Sequence, residues 1–224
     1  MSELNCKMIY FFGPDGTGKT THAEHVASYL RRKGCRVWRT GVKHHHTLAY
    51  LLLKLLSGKN PDGLPLSYYG FNDELKQKIR TPWKMLELIS LLPAIFYRVL
   101  LPQLLGYIVI CDRYLLDTLV TLSYFLNDQE LITGTYARLL TLMIPKHAVL
   151  FYMNANTETI LQRKKDEPLT SKLVEYYKLA YQIIIRQVKL KVVTIDTSNA
   201  KIEDVKNLVL QHIIEHCSIA EQPR

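Results

Sequence analysis

The residues best suited to chemistry in this chain run from Gly13 to Thr21 and read GPDGTGKTT. Gly13, four further residues, then Gly18, Lys19 and Thr20 complete the phosphate-binding pattern G-x-x-x-x-G-K-S/T. Glycines at Gly13, Gly16 and Gly18 let several backbone N–H groups converge on one concavity at the positive end of a helix, which makes an anion nest. Lys19 supplies a point charge for β- and γ-phosphates, and the Thr20 hydroxyl is suited to hold Mg2+. The expected donor contacts are therefore Gly13, Asp15, Gly16, Thr17, Gly18, Lys19, Thr20 and Thr21, around a nucleoside triphosphate.

A second constellation ends the segment YIVICDRY, Tyr107 to Tyr114. An acidic residue at a strand terminus beside a phosphate loop is where Mg2+ and its waters are anchored, so Asp112 joins Thr20 as a predicted metal residue. Arg113 offers a planar fork that binds phosphoryl oxygens through two parallel hydrogen bonds. Asp-Arg pairs also serve as structural latches, so this tripeptide gains meaning from the phosphate loop.

Both constellations need elements to hold them. Apolar runs of strand type recur at Lys7–Phe12, Cys35–Thr40, Tyr107–Cys111, Ala148–Met153 and Lys191–Ile195. Helical patterns lie between them at Thr20–Lys33, Thr47–Leu56, Pro82–Leu101, Thr135–Met143, Thr157–Lys165, Lys172–Gln187 and Lys201–Ile214. Such alternation predicts βαβ units and a mainly parallel sheet with both faces covered. Ligands of these sheets lie at the carboxyl ends of the strands, which selects the loops after Phe12, Thr40, Cys111, Met153 and Ile195.

With 224 residues, the chain fits a single domain over 1–224, and 22% charged residues argues against disorder. The 29 basic and 20 acidic residues give a formal charge of +9. No nucleic-acid module accompanies this charge, and a site for several phosphates also wants positive potential, so phosphate ligands are expected rather than nucleic acid. Cys6, Cys35, Cys111 and Cys217 stand far apart and read as reduced thiols of a cytoplasmic protein. The opening MSELNCK has no long apolar stretch, so no leader is expected. Leu86–Leu101 is interrupted by Ser90, Pro93 and Arg98 and is expected to be a buried helix, with no membrane partner. Ser57–Leu66 reads as a loop, and His44, His45 and His46 as a polar turn before the helix at Thr47.

The succession GPDGTGKTT, VICDRY, FYMNANTETILQRKK and VTIDTSNAKIEDV resembles thymidylate kinases over most of the chain. The resemblance implies a P-loop NTPase fold of three α/β/α layers around a five-stranded sheet. It also implies transfer of the γ-phosphoryl of ATP to dTMP, with Mg2+, in a homodimer. It places Asp15 on the sugar hydroxyl of the acceptor, although Pro-Asp-Gly is also a strong turn sequence. By the same match Asp112 organises metal and acceptor, and Arg113, with Tyr114 beside it, clamps the acceptor phosphate and the phosphoryl group in flight. The basic stretch near 162–171 corresponds to the lid over ATP. Since Gly16 and Thr17 stand where some members carry a loop arginine, the missing charge falls to Arg163, ahead of Lys164 and Lys165. Asn199 and Ala200, after the last strand, correspond to the residues bordering adenine.

This chain departs from the family in two places. Where the acceptor-phosphate arginine follows the second strand, it reads VWRTGVKHHH, leaving Arg39 or Lys43 as substitutes. The helix supplying the base contacts reads ELISLLPAIFYRVLL, with Phe96 and Arg98 as candidates, and Tyr181 stands where the family has a tyrosine near the sugar. Other acceptors therefore stay open: a different pyrimidine nucleotide, a deoxynucleoside, or none, in a regulatory protein that only binds ATP.

Overall fold

The structure is a computed structural model that describes residues 6–42, 49, 73–167, 169–187 and 190–217. Lys43, the histidine run, the loop Ser57–Leu66 and, apart from Ala49, the helix expected at Thr47–Leu56 lie outside the described residues.

Five strands, β1 (Met8–Phe12), β2 (Val37–Thr40), β3 (Ile108–Asp112), β4 (Ala148–Asn154) and β5 (Val192–Asp196), form one sheet in the order β2-β3-β1-β4-β5. Every pairing is parallel. The glycine-rich run after Phe12 leaves the middle strand, between the Asp112 end of β3 and the Asn154 end of β4. This is where an open parallel sheet splits toward its two halves and leaves a crevice.

Side chains alternate across the pleat, so each inner strand feeds two cores. Met8, Tyr10 and Phe12 enter one core, and Ile9 and Phe11 the other. The second core is closed by α1 (Lys19–Arg32), through Ala23, Val26 and Leu30, and by the C-terminal helix Ile202–Cys217, through Val205, Val209 and Ile213. The first core is closed by α2 (Asp73–Ile95), by α4 (Leu115–Phe125) and by the helix Ser171–Gln187. Between α2 and the short α3 (Leu101–Leu104) lies a widened π turn, Phe96–Leu100. The order continues with α5 (Glu130–Thr133), α6 (Thr135–Leu142) and α7 (Thr157–Arg163), which makes Ser171–Gln187 α8 and Ile202–Cys217 α9.

Two expectations need correction. Helix α4 has no expected counterpart, because LLDTLVTLSYF is buried nearly all round and carries no polar face to give a helical period. The helix expected to be buried over Leu86–Leu101 is half outside: its described run Gln77–Leu104 continues through Pro93 and the π turn, and only 33% of its most apolar window is buried. Leu91, Ile95 and Val99 face the core, while Ile89, Leu92 and Phe96 face outward.

Candidate functional site

Gly13 leaves β1 with φ 133, and a Cβ built on it would stand 2.1 Å from the Met153 carbonyl oxygen at the end of β4. Only glycine fits a turn pressed that closely on the neighbouring strand. Gly18, at φ 85, then turns the chain into α1, whose first residues are Lys19 and Thr20. The loop is closed internally by the Thr17 hydroxyl, which donates to the Pro14 carbonyl at 2.8 Å. Lys19 Nζ donates to the carbonyls of Gly13 and Pro14, both at 2.7 Å, and lies 3.5 Å from the Asp15 carboxylate.

Arg113 reaches the same carboxylate oxygen, Oδ1, and pairs with Asp15. Its backbone has φ 74, a conformation that costs a non-glycine residue on the order of 1–3 kcal/mol. Two ladder bonds hold it: Arg113 N–H donates to Phe11 at 3.1 Å, and its carbonyl accepts from Val42 at 3.0 Å. The turn therefore aims Arg113 back toward the phosphate loop, so one carboxylate oxygen meets two cations.

Asp112 ends β3 beside Thr20, whose hydroxyl donates to Asp112 Oδ2. Its other oxygen, Oδ1, is buried without a hydrogen-bond partner among the described residues. A buried carboxylate oxygen left open beside a hydroxyl suits a hard divalent cation with oxygen ligands, so this pair fits Mg2+.

A cavity of about 360 Å3 opens above these groups, within the size range of small-ligand sites. Asp15 through Thr21, Arg113, Arg163, Lys164 and Ala200 line it, as do four residues that sequence reasoning missed: His22, Thr197, Ile202 and Val205. Arg163, the last residue of α7, donates to Gly16 O at 3.2 Å, to Thr197 Oγ1 at 3.1 Å and to Thr197 O at 2.7 Å. It thus ties the phosphate loop to the segment after β5. Lys164 pairs with Glu167.

His22 is 4% exposed, and its Nδ1 has no partner among the described residues. Burial, helped by the charges of His25 and Lys206, pulls its pKa down to about 4. It is neutral at physiological pH, and with Ile202 and Val205 it lends the cavity an apolar wall. The sequence signal was slight: a polar residue one turn before Val26 on the buried stripe of α1.

The other expected site residues do not line this cavity. Tyr181 is 2% exposed, with its hydroxyl donating to Asp117 Oδ1 at 2.9 Å. Tyr114 is fully buried at the head of α4. Arg39 pairs with Glu24 at 3.1 Å, Arg98 donates to Gly41 O at 3.0 Å, and Phe96 packs edge-on to Tyr97. Asn199 is exposed and, unlike Ala200, is not part of the cavity wall.

The sheet, the glycine loop and the carboxylate beside it define a P-loop α/β protein. No family model matches the chain. Its sequence is 30% identical over 122 residues to a putative thymidylate kinase of Treponema pallidum (strain Nichols), covering 50% of this chain and 55% of that protein. It is 32% identical over 120 residues to a thymidylate kinase of Caldicellulosiruptor saccharolyticus, covering 51% and 48%. The chain spans about half the length of the curated relatives it matches. In structure it resembles the YorR protein of Bacillus subtilis, solved with phosphorylated GDP, at a TM-score of 0.53 and 17% identity over 93% of this chain and 97% of that one. That likeness speaks to the fold; the sequence likeness is to nucleotide kinases.

Proposed function

We propose that this chain is an ATP-dependent nucleoside monophosphate kinase, and that its acceptor is dTMP. The observation that carries the reading is the Lys19–Asp15–Arg113 arrangement: one cation on the donor loop, one on the β3 edge, and a carboxylate holding both in place. Phosphoryl transfer asks the protein for position and charge more than for covalent chemistry. The acceptor phosphate oxygen attacks the γ-phosphorus, the bond to the β,γ-bridging oxygen breaks, and ADP leaves. In this reading the loop amides and Lys19 hold the donor, and Arg113 draws in the acceptor phosphate and neutralises charge on the moving group. Thr20 and Asp112 would hold Mg2+, which supplies further charge neutralisation between the phosphates. Arg163 and Lys164 lie over the loop, where they exclude water from the transfer. The names of the two sequence relatives support dTMP as acceptor.

The test is ADP release from ATP with Mg2+ across a panel of nucleoside monophosphates and nucleosides. We expect dTMP to stimulate turnover most and nucleosides not at all. Arg113→Ala should lower kcat on the order of 10^3-fold, with stability changed by no more than about 1 kcal/mol. Turnover that no acceptor raises above the water background would end the kinase reading. A nucleoside preferred over its monophosphate would move the acceptor class.

A further inference from the structure

The end of α9 carries donor groups that the phosphate site does not use. His212, Glu215 and His216 stand at positions i, i+3 and i+4 of one helix, so their side chains share a face. One ligating atom from each lies within 4.8 Å of the other two. The two imidazole rings are 24° from parallel, with centroids 6.1 Å apart. The His212 ring also packs edge-on to Phe151 of β4, at 6.5 Å between centroids, which restrains it. Its Nδ1 atom is buried without a hydrogen-bond partner among the described residues and stands 3.7 Å from Glu215 Oε2.

That separation is too long for a hydrogen bond. It is close to what a shared ion needs. Zinc takes imidazole nitrogen at about 2.0–2.1 Å and carboxylate oxygen at about 2.0–2.2 Å, so two such ligands at a tetrahedral angle stand roughly 3.4 Å apart. A small turn of the exposed Glu215 side chain supplies the difference.

We infer that His212, Glu215 and His216 form a site for a first-row divalent ion, Zn2+ first among them, separate from the magnesium site of the phosphate loop. Donor chemistry selects the ion. Two imidazoles and one carboxylate suit Zn2+, whereas Mg2+ prefers oxygen ligands alone. Three protein ligands leave a fourth tetrahedral position for water or another side chain. A cavity of about 250 Å3, lined by His216, Cys6 and His147 among others, gives solvent access to that position. Lys146 and Lys191 line the same cavity and oppose a cation there, so the Glu215 charge has to offset them. The last turn of a helix adds its negative dipole end, which favours a cation. The nucleotide cavity lies at the other end of α9, where Ile202 and Val205 wall it. The ion therefore holds the last turn of α9 and takes no part in phosphoryl transfer.

The test is calorimetric titration of the full chain, stripped with chelator, with ZnCl2 in excess Mg2+ and without nucleotide. We expect one Zn2+ per chain at micromolar Kd or tighter. Glu215→Gln and His216→Gln should each weaken binding by roughly tenfold or more, with far-UV circular dichroism matching the parent. A triple variant, His44→Ala with His45→Ala and His46→Ala, should bind as the parent does, and so should Asp112→Asn. Three results would overturn the inference: no zinc bound at micromolar concentration, equal affinity in the parent, Glu215→Gln and His216→Gln, or loss of the ion in the triple variant or Asp112→Asn instead.

Discussion

Asp15 is the residue around which the site is arranged. A carboxylate inside an anion nest repels the ligand unless something neutralises it, and here Lys19 and Arg113 both do so. The sequence made the types and spacing of these groups plain, because Gly13, Gly18, Lys19 and Thr20 follow a fixed pattern. It did not show that Arg113 folds back at φ 74 onto Asp15, since that depends on the pairing of β3 with β1. His22 was hidden for a related reason: its burial comes from packing near Val205 and Lys206, distant in sequence. Its lowered pKa makes a prediction. Between about 4 and the ordinary histidine value near 6.5, the unfolded chain binds the His22 proton and the folded chain does not. Stability from this group is thus fully present above about 6.5 and lost as pH falls toward about 4. His22→Gln should flatten that part of the stability–pH curve, by up to on the order of 3 kcal/mol in urea titrations. Parallel curves for the two proteins would show that folding leaves the proton affinity of His22 unshifted.

At the scale of elements, the turn that carries Asp112 and Arg113 depends on a buried carboxylate in α4. Asp117 Oδ2 accepts from Tyr10 hydroxyl at 2.7 Å and from the Tyr114 N–H at 3.0 Å, while Oδ1 accepts from Tyr181 at 2.9 Å. Tyr10 in turn accepts from the Leu116 N–H at 3.1 Å. Burial, reinforced by the Asp117 charge, pushes both phenols well above their ordinary pKa and keeps them as donors. This network fixes the head of α4 directly after Asp112 and Arg113, tying β1, β3 and α8 to the turn that carries them. The sequence offered Tyr181 only as a resemblance to a sugar contact. Its actual partner sat in the one long described helix that periodicity could not detect. Tyr181→Phe should therefore cost about 2 kcal/mol of stability by urea unfolding, because a buried carboxylate loses a donor. The KM for the acceptor should stay within roughly threefold of the parent, as expected for a side chain that positions the turn without touching ligand. A large rise in KM at unchanged stability would return Tyr181 to the acceptor site.

Over the whole molecule, strand positions were legible to within two residues because a parallel sheet covered on both faces needs short, continuous apolar runs. The central place of β1 was not, since strand order is a property of pairing. That central place matters for energetics. The phosphate loop springs from the strand that feeds both cores, and its cavity is walled by α1, the β3 turn and α9. A donor nucleotide bound there touches α1, α9 and the turn that closes β3 beside β1, so its binding energy should stabilise the molecule as one unit. At roughly a hundredfold excess of ATP over Kd, mass action adds about 2.7 kcal/mol. For a chain of this size that corresponds to a rise in Tm of about 5–10 °C, as a single transition. Lys19→Met should abolish the rise, because the point charge on the phosphates is gone while most of the side-chain volume remains. Ile89→Glu, far out on α2, should keep it. A nucleotide that shifts only part of the transition, or an equal rise in Lys19→Met, would place the ligand somewhere other than this cavity.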